Sequence, residues 1–320
     1  MAYLSSCQKE YSEQFVPYEN NTQNKDTVWS VSNNGKAVNI ELPSLTAAPM
    51  VDSFTLSTGG TVNFPENLSL LFPPNCVSTT AAPLTNKLRV AVTHLRKKGD
   101  FIRYGKPTMS YDYLLQTGGS FNIILTTQNG VPVNLAPGIS FKIKYRNAAP
   151  SNDMKFFYET SWMYNGMDST STWVQGNSQG QGSISTWQQF DTATQTIIKG
   201  YEMFSAKLRW INCDFFNDTS QPYTRMNVSL PLNFTNANTN VYAVFKNKNI
   251  VAGLTSEMIS RTFYLRKIPI GSEVILVTVS KIGNDYYLGK KEATVNNANL
   301  VTVNPEPKSL SDISNFLNSL

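Results

Sequence analysis

The feature that most constrains the fold is a two-residue alternation of apolar and polar side chains, which recurs from Val28 onward. The alternating runs are short, and turn-forming pairs such as Asn129-Gly130 and Pro137-Gly138 separate them. Because successive side chains of a β-strand point to opposite faces, this pattern predicts strands with one buried face. Many short strands at such spacing predict an all-β protein built from β-sandwiches.

The strand runs divide the chain into modules. Residues 1–27 are polar and lack periodicity, which predicts a flexible tether. We expect a first β-sandwich module over residues 28–225. Residues 226–305 contain seven short strand-like runs, the number of strands in an immunoglobulin domain, so we expect an immunoglobulin-like β-sandwich there.

Residues 306–320 contain the one segment with a helical pattern. Ser309 is a predicted N-cap with Asp312 three residues later, and the apolar residues that follow share one face: Leu310, Ile313, Phe316, Leu317 and Leu320. We expect this short C-terminal amphipathic helix to pack on the second module. Binding to a partner protein is the alternative.

Three glycine-containing segments predict turns. We expect Thr117-Gly118-Gly119 to separate two strands and Gln175 to Ser183 to form a hairpin tip. The basic run Arg96-Lys97-Lys98, followed by Gly99, predicts a solvated hairpin end.

Composition bears on the class of partner. Only 15% of the 320 residues are charged, against about 25% in typical soluble domains, so Asn, Thr, Ser and Gln must build the polar surface. Such surfaces are common in secreted and cell-surface β-proteins. The net charge of +5 is mild and no long basic run is present, which argues against nucleic-acid binding.

The segment Leu4-Ser5-Ser6-Cys7 matches the pattern that a lipoprotein signal peptidase recognises. We expect Cys7 to carry a lipid that tethers the protein to a membrane, although no basic or apolar segment precedes it. An unpaired cysteine in a polar tail is the alternative. Cys76 and Cys213 lie among apolar residues and predict buried free thiols, with one bridge between them left open.

Few residues suggest catalysis. His94 is the single histidine and lies in an alternating strand, where we expect it to face solvent or a hydrogen-bond partner. The sequence contains no phosphate-binding loop, dinucleotide fingerprint or paired-cysteine motif, and we predict no catalytic residue, metal or cofactor. A hydrolase, the less favoured alternative, would need a pocket around His94 or a close pair of carboxylates.

One aromatic segment has two interpretations. It is rich in amide and hydroxyl side chains and contains Tyr158, Trp162, Tyr164, Trp173 and Trp187. Packing within the sheets is the first interpretation. The second is a glycan-binding platform, in which exposed rings would stack on sugars.

Several runs resemble one family. Gly59 to Phe64, followed by the apolar run Leu70 to Cys76, is similar to the opening of ZU5-like β-domains; further runs, Lys98 to Ile102, Gly105 to Thr108, Leu114 to Phe121 and Leu208 to Phe215, resemble Bacteroidota envelope proteins. The resemblance covers residues 40–225 and departs from the family pattern at His94 and Arg209. It implies a ZU5-like fold and an exported lipoprotein, and it brings no catalytic residues.

Together these observations predict an outer-membrane lipoprotein anchored through Cys7. We expect a non-enzymatic binding or scaffolding subunit of a surface assembly, with a protein partner. A glycan-binding accessory protein is the alternative.

Overall fold

The computed structural model describes residue 29 and residues 45–78, 86–163, 169–177, 180–217, 220–297 and 300–320, without the side chains of residues 161–163, 169 and 170. The chain is all-β, and its C-terminus is a short helix. The predicted tether and Cys7 lie outside the described residues.

The first sandwich contains two sheets. The strands of the larger sheet run in the order β1-β4-β6-β13-β9-β10, with β5 and β7 paired to β6; the smaller has the order β11-β12-β8-β3-β2. The strands are β1 (Met50–Thr55), β2 (Gly60–Phe64), β3 (Leu68–Phe72), β4 (Lys87–Leu95), β5 (Met109–Ser110), β6 (Tyr113–Thr127), β7 (Pro132–Val133), β8 (Phe141–Arg146), β9 (Lys155–Met163), β10 (Ser169–Gln175), β11 (Gly182–Asp191), β12 (Thr196–Ser205) and β13 (Arg209–Phe216). Their inward side chains form one core, which includes Phe72, Phe121, Phe141 and Ile211.

The second sandwich packs a sheet of order β17-β18-β14-β21 on one of order β16-β15-β19-β20-β22. Its strands are β14 (Tyr223–Ser229), β15 (Thr239–Phe245), β16 (Val251–Gly253), β17 (Thr255–Glu257), β18 (Thr262–Pro269), β19 (Glu273–Ile282), β20 (Asp285–Thr294), β21 (Leu300–Thr302) and β22 (Glu306–Pro307). Since β14 begins at Tyr223, this sandwich starts before the predicted boundary at residue 226.

Two short helices join the sandwiches. The first, α1 (Lys98–Arg103), replaces the predicted hairpin end, because the Asp100 carboxylate accepts backbone hydrogen bonds at its start. The second, α2 (Leu310–Asn318), has the predicted capping box of Ser309 and Asp312. Phe101 and Ile102 of α1 and Ile313 and Leu317 of α2 share one apolar cluster with the outer face of the β15-β19 sheet. The terminal helix therefore packs on both sandwiches.

Gly99 permits the close approach of the two helices. A Cβ atom at this position would lie 1.9 Å from the carbonyl oxygen of Leu317. Only glycine fits such a contact without moving α2 away.

Two of the predicted turns are different structures. Thr117 to Gly119 lies inside β6, where the pairing with β13 shifts register between Cys213 and Asp214 and leaves Gly118 unpaired in a β-bulge. The predicted hairpin tip connects β10 in one sheet to β11 in the other, so it is a crossover.

Candidate functional site

The candidate site lies where the two sandwiches meet. The N–H of Thr117 in β6 donates to the carbonyl oxygen of Asn249 at 3.0 Å, and Asn249 Nδ2 donates to the Thr117 carbonyl oxygen at 2.8 Å. Leu114, also in β6, belongs to the core of the second sandwich. These contacts place the start of β6 beside the strands of the second sandwich.

A groove of about 110 Å³ opens at this junction. It is lined by residues from four separate parts of the chain: Asp112, Tyr113, Leu114, Asn217, Tyr223 and Lys267. Tyr113 and Phe216 form an exposed aromatic rim, with ring centroids 6.1 Å apart and planes at 84°. Phe157 packs against Phe216, with ring centroids 5.5 Å apart. We call this the junction groove.

The charges around the junction groove are mostly positive. Lys267 Nζ lies 4.5 Å from the centroid of the Tyr113 ring, which is a cation–π distance. Arg266 pairs with Asp112 at 3.3 Å, and because both side chains are largely exposed this pair adds little stability. Lys248 adds a third cation at the back of the groove.

Asn217 carries an unpaired polar group in the groove wall. Lys248 Nζ donates to Asn217 Oδ1 at 2.7 Å, which assigns the orientation of the amide. Asn217 Nδ2 is buried and has no acceptor among the described residues. Buried donors without partners are rare in native proteins and call for an explanation.

The wall behind the groove rests on a buried polar network at the β6 bulge. Thr117 Oγ1 donates to Asn212 Oδ1 at 3.1 Å, and Asn212 Nδ2 donates to Asp214 Oδ2 at 2.6 Å. Burial raises the pKa of Asp214 well above its usual range, and the hydrogen bonds from Thr117 and Asn212 only partly oppose this. The bulge therefore encloses a carboxyl group whose charged form is disfavoured by burial.

His94 lies next to this bulge and not in the junction groove. Its ring stacks on Phe121 with centroids 4.2 Å apart and meets the edge of Tyr145 at 5.5 Å. Burial lowers the pKa of His94 to about 3. The residue as a whole is half-buried, while Nε2 is enclosed and has no hydrogen-bond partner among the described residues.

The residues of the predicted glycan platform do not share a face. Trp173 is 3% exposed and donates from Nε1 to the Pro107 carbonyl oxygen at 2.9 Å, so its ring is closed to a sugar. Tyr158 packs against the first core, on the opposite face of the same sheet. Trp187 lies half-buried in the other sheet, under Lys144. Tyr164 and the side chain of Trp162 lie outside the described residues.

The remaining predicted groups are placed as follows. Cys76 and Cys213 are buried free thiols, which resolves the alternatives left open by the sequence. Burial raises the pKa of Cys76 to about 11. In the part of the chain that the structure describes, no group of three histidine, cysteine or acidic side chains is arranged to hold a metal ion. No described helix has the length and apolar character needed to cross a membrane.

No protein-family model matches the chain. No curated protein matches it in sequence.

Sequence reasoning missed the junction groove because its residues are far apart in the chain. Tyr113 and Lys267 are separated by more than 150 residues. The local signal that could have indicated it is the run Tyr111-Asp112-Tyr113, whose two exposed tyrosines flank a carboxylate. Exposed tyrosines are enriched at protein interfaces.

Proposed function

We propose that the protein is a non-enzymatic binding subunit of a cell-surface assembly, anchored to the outer membrane through a lipid on Cys7. In this proposal the junction groove receives an apolar side chain of a protein partner. The observation that carries the proposal is the groove itself, an apolar pocket with an exposed aromatic rim at the junction of the two sandwiches.

The size of the groove favours a protein partner over a small ligand. Small-molecule sites usually enclose about 300–1,000 Å³, whereas this groove encloses about 110 Å³. That volume suits one anchoring side chain of a larger surface. Protein interfaces are commonly centred on such anchors, surrounded by tyrosine, phenylalanine and arginine.

Charge adds to the description of the partner. Three cations contact residues of the groove or its rim: Arg266 pairs with Asp112, Lys248 donates to Asn217, and Lys267 lies over the Tyr113 ring. An apolar side chain flanked by acidic residues would complement this surface. Oppositely charged surfaces mainly raise the rate and specificity of association.

The membrane anchor is supported by the sequence. Leu4-Ser5-Ser6-Cys7 has the residue types required for lipidation, and the resemblance to ZU5-like envelope proteins agrees with export. The polar run from Gln8 to Thr27 would act as the tether.

Photo-crosslinking tests the groove in cells that make the protein. A photo-reactive phenylalanine replaces Phe216, which is 40% exposed on the rim, and the matched control carries it at Phe190, which is 54% exposed in the other sheet. We expect one discrete crosslinked protein from position 216, and its loss when Tyr113→Ser is added. Equal products from both positions would contradict the proposal.

Intact-mass measurement of protein from the same membranes tests the anchor. A chain that begins at Cys7 and carries added acyl mass is expected. An unmodified chain that begins at Met1 would refute the anchor and leave the groove result standing.

A further inference from the structure

We propose that the end of the second sandwich opposite the first sandwich docks directly on a lipid bilayer, through two loops that insert apolar side chains. The loops are residues 230–238 and the turn 258–261. This inference adds a contact surface to the proposed membrane location and rests on it for its biological setting. The geometry that supports it is independent of the lipid anchor.

The two loops carry three of the four exposed large apolar side chains that the structure describes in the second sandwich; the fourth, Leu300 in β21, is 65% exposed. Ile259 is 99% exposed, Leu232 is 72% exposed and Met258 is 46% exposed. An isolated exposed apolar residue is ordinary, but three on adjacent loops indicate an interaction surface.

Strand pairing places the loops at the same end. Val228 pairs with Phe263 and Glu257 pairs with Thr262, so the end of β14 lies next to the turn between β17 and β18. Asn236 Nδ2 also donates to Ser256 Oγ at 3.3 Å, which joins the longer loop to β17. The contacts with the first sandwich, at Lys248 and Asn249, belong to the opposite end of β15.

Polar contacts at its base hold the turn in shape. Ser260 Oγ donates to Glu257 Oε2 at 2.7 Å, and Arg225 Nη2 donates to the same oxygen at 2.8 Å. Glu257 is therefore neutralised by Arg225, which leaves Arg261 as the exposed charge within the turn. This arrangement presents Met258 and Ile259 outward and avoids repulsion from an anionic bilayer.

The N-terminal chain reaches the molecule at this same end. Trp29 packs on Phe263, with ring centroids 5.2 Å apart, and Phe263 is the second residue after the turn. The 21 residues between Cys7 and Trp29 would span at most about 75 Å when fully extended. A lipid on Cys7 would hold these loops close to the bilayer and raise their effective concentration there.

The form of the surface favours a bilayer over a folded partner. The apolar side chains are exposed on two separate loops, whereas protein anchors usually fit complementary pockets. A fluid bilayer accepts such projecting side chains without a matching shape.

Vesicle flotation of the full chain with Cys7→Ser tests this surface without the lipid anchor. The vesicles contain three parts phosphatidylethanolamine and one part phosphatidylglycerol. We expect the Cys7→Ser chain to float with the vesicles, also in high salt, and the further changes Leu232→Ser, Met258→Ser and Ile259→Ser to reduce partitioning at least tenfold. The matched control, Phe190→Ser with Ile197→Ser, removes similarly exposed apolar residues from the first sandwich and should partition like the parent chain.

Three outcomes would overturn the inference. The Cys7→Ser parent chain could fail to float. The triple variant could float as well as the parent chain. High salt could abolish vesicle binding of both the parent chain and the triple variant. If the parent chain does not float but self-associates, and the triple change abolishes that self-association, the surface would instead bind a second copy of the chain. The crosslinking result at Phe216 and the mass of native protein are unaffected by these outcomes, so failure here is distinguishable from failure of the proposed function.

Discussion

At the scale of single residues, the β6 bulge concentrates buried groups whose protonation differs between the folded and unfolded states. Within one region of the first sandwich, burial lowers the pKa of His94 and raises the pKa of Asp214. Their effects on acid stability have opposite signs. Folding disfavours proton binding by His94 and favours it by Asp214.

The acid stability of the protein should depend on His94. Its pKa is about 3 in the folded protein and about 6.5 in unfolded chains, so the unfolded state binds the extra proton and stability falls as pH decreases through that window. Linkage gives a loss of about 2 kcal/mol between pH 7 and pH 5. Because the opposing contribution of Asp214 is common to both proteins, urea unfolding at both pH values should give His94→Leu a pH dependence that differs from that of the unaltered protein by about that amount. An unchanged pH dependence in the variant would mean that the imidazole can bind a proton in the folded protein.

At the scale of elements, the packing of α1 on α2 leaves no room for a side chain at Gly99. Gly99 lies against the backbone of Leu317, so no side-chain rotation can make room for a larger residue. The rest of the helix pair is apolar and could adjust by small shifts.

Gly99→Ala should separate the two helices. We expect a loss of about 1–3 kcal/mol in the free energy of unfolding, as for overpacked cores, together with faster proteolysis of residues 309–320. Gly180→Ala is the control, because no atom lies within 4 Å of the added Cβ and its φ is not in the left-handed region. The prediction fails if both variants have the stability and proteolysis rate of the unaltered protein.

Local patterns predicted local elements well. The capping box of Ser309 and Asp312 and the apolar face of α2 lie within a dozen residues, and the structure confirms both. The alternation of apolar and polar residues from Lys87 to Leu95 likewise predicts a strand, and β4 has these bounds.

Elements that depend on distant partners were not predictable in this way. Gly118 was assigned to a turn, because the register shift that makes it a bulge occurs opposite Cys213 and Asp214, about 95 residues later. The helix α1 was missed because its apolar face is completed by Leu317, more than 200 residues away. The junction groove was missed for the same reason, since Tyr113 and Lys267 meet only after both sandwiches have formed.

At the scale of the whole molecule, the two sandwiches behave as one structural unit. They share the apolar cluster around α1 and α2, and Leu114 of the first sandwich is buried in the core of the second. Domains within one chain usually move relative to each other unless their interface is large and apolar. The groove walls should therefore keep a fixed separation.

Calorimetry should show both sandwiches unfolding in a single transition, with equal van't Hoff and calorimetric enthalpies. The double change Phe101→Ser and Ile102→Ser removes two buried side chains from the shared cluster and should split this transition into two. Leu232→Ser, at an exposed site, should leave it single. Two transitions in the unaltered protein would show that the sandwiches are independent.

The position of α2 at the end of the chain has a consequence for synthesis. The apolar face of α1 emerges from the ribosome about 200 residues before the helix that covers it. At a synthesis rate of about 5–20 residues per second, this face remains uncovered by α2 for roughly 10–40 s. During that interval the nascent first sandwich exposes Phe101 and Ile102 to chaperones, and the last turn of the chain ends the exposure.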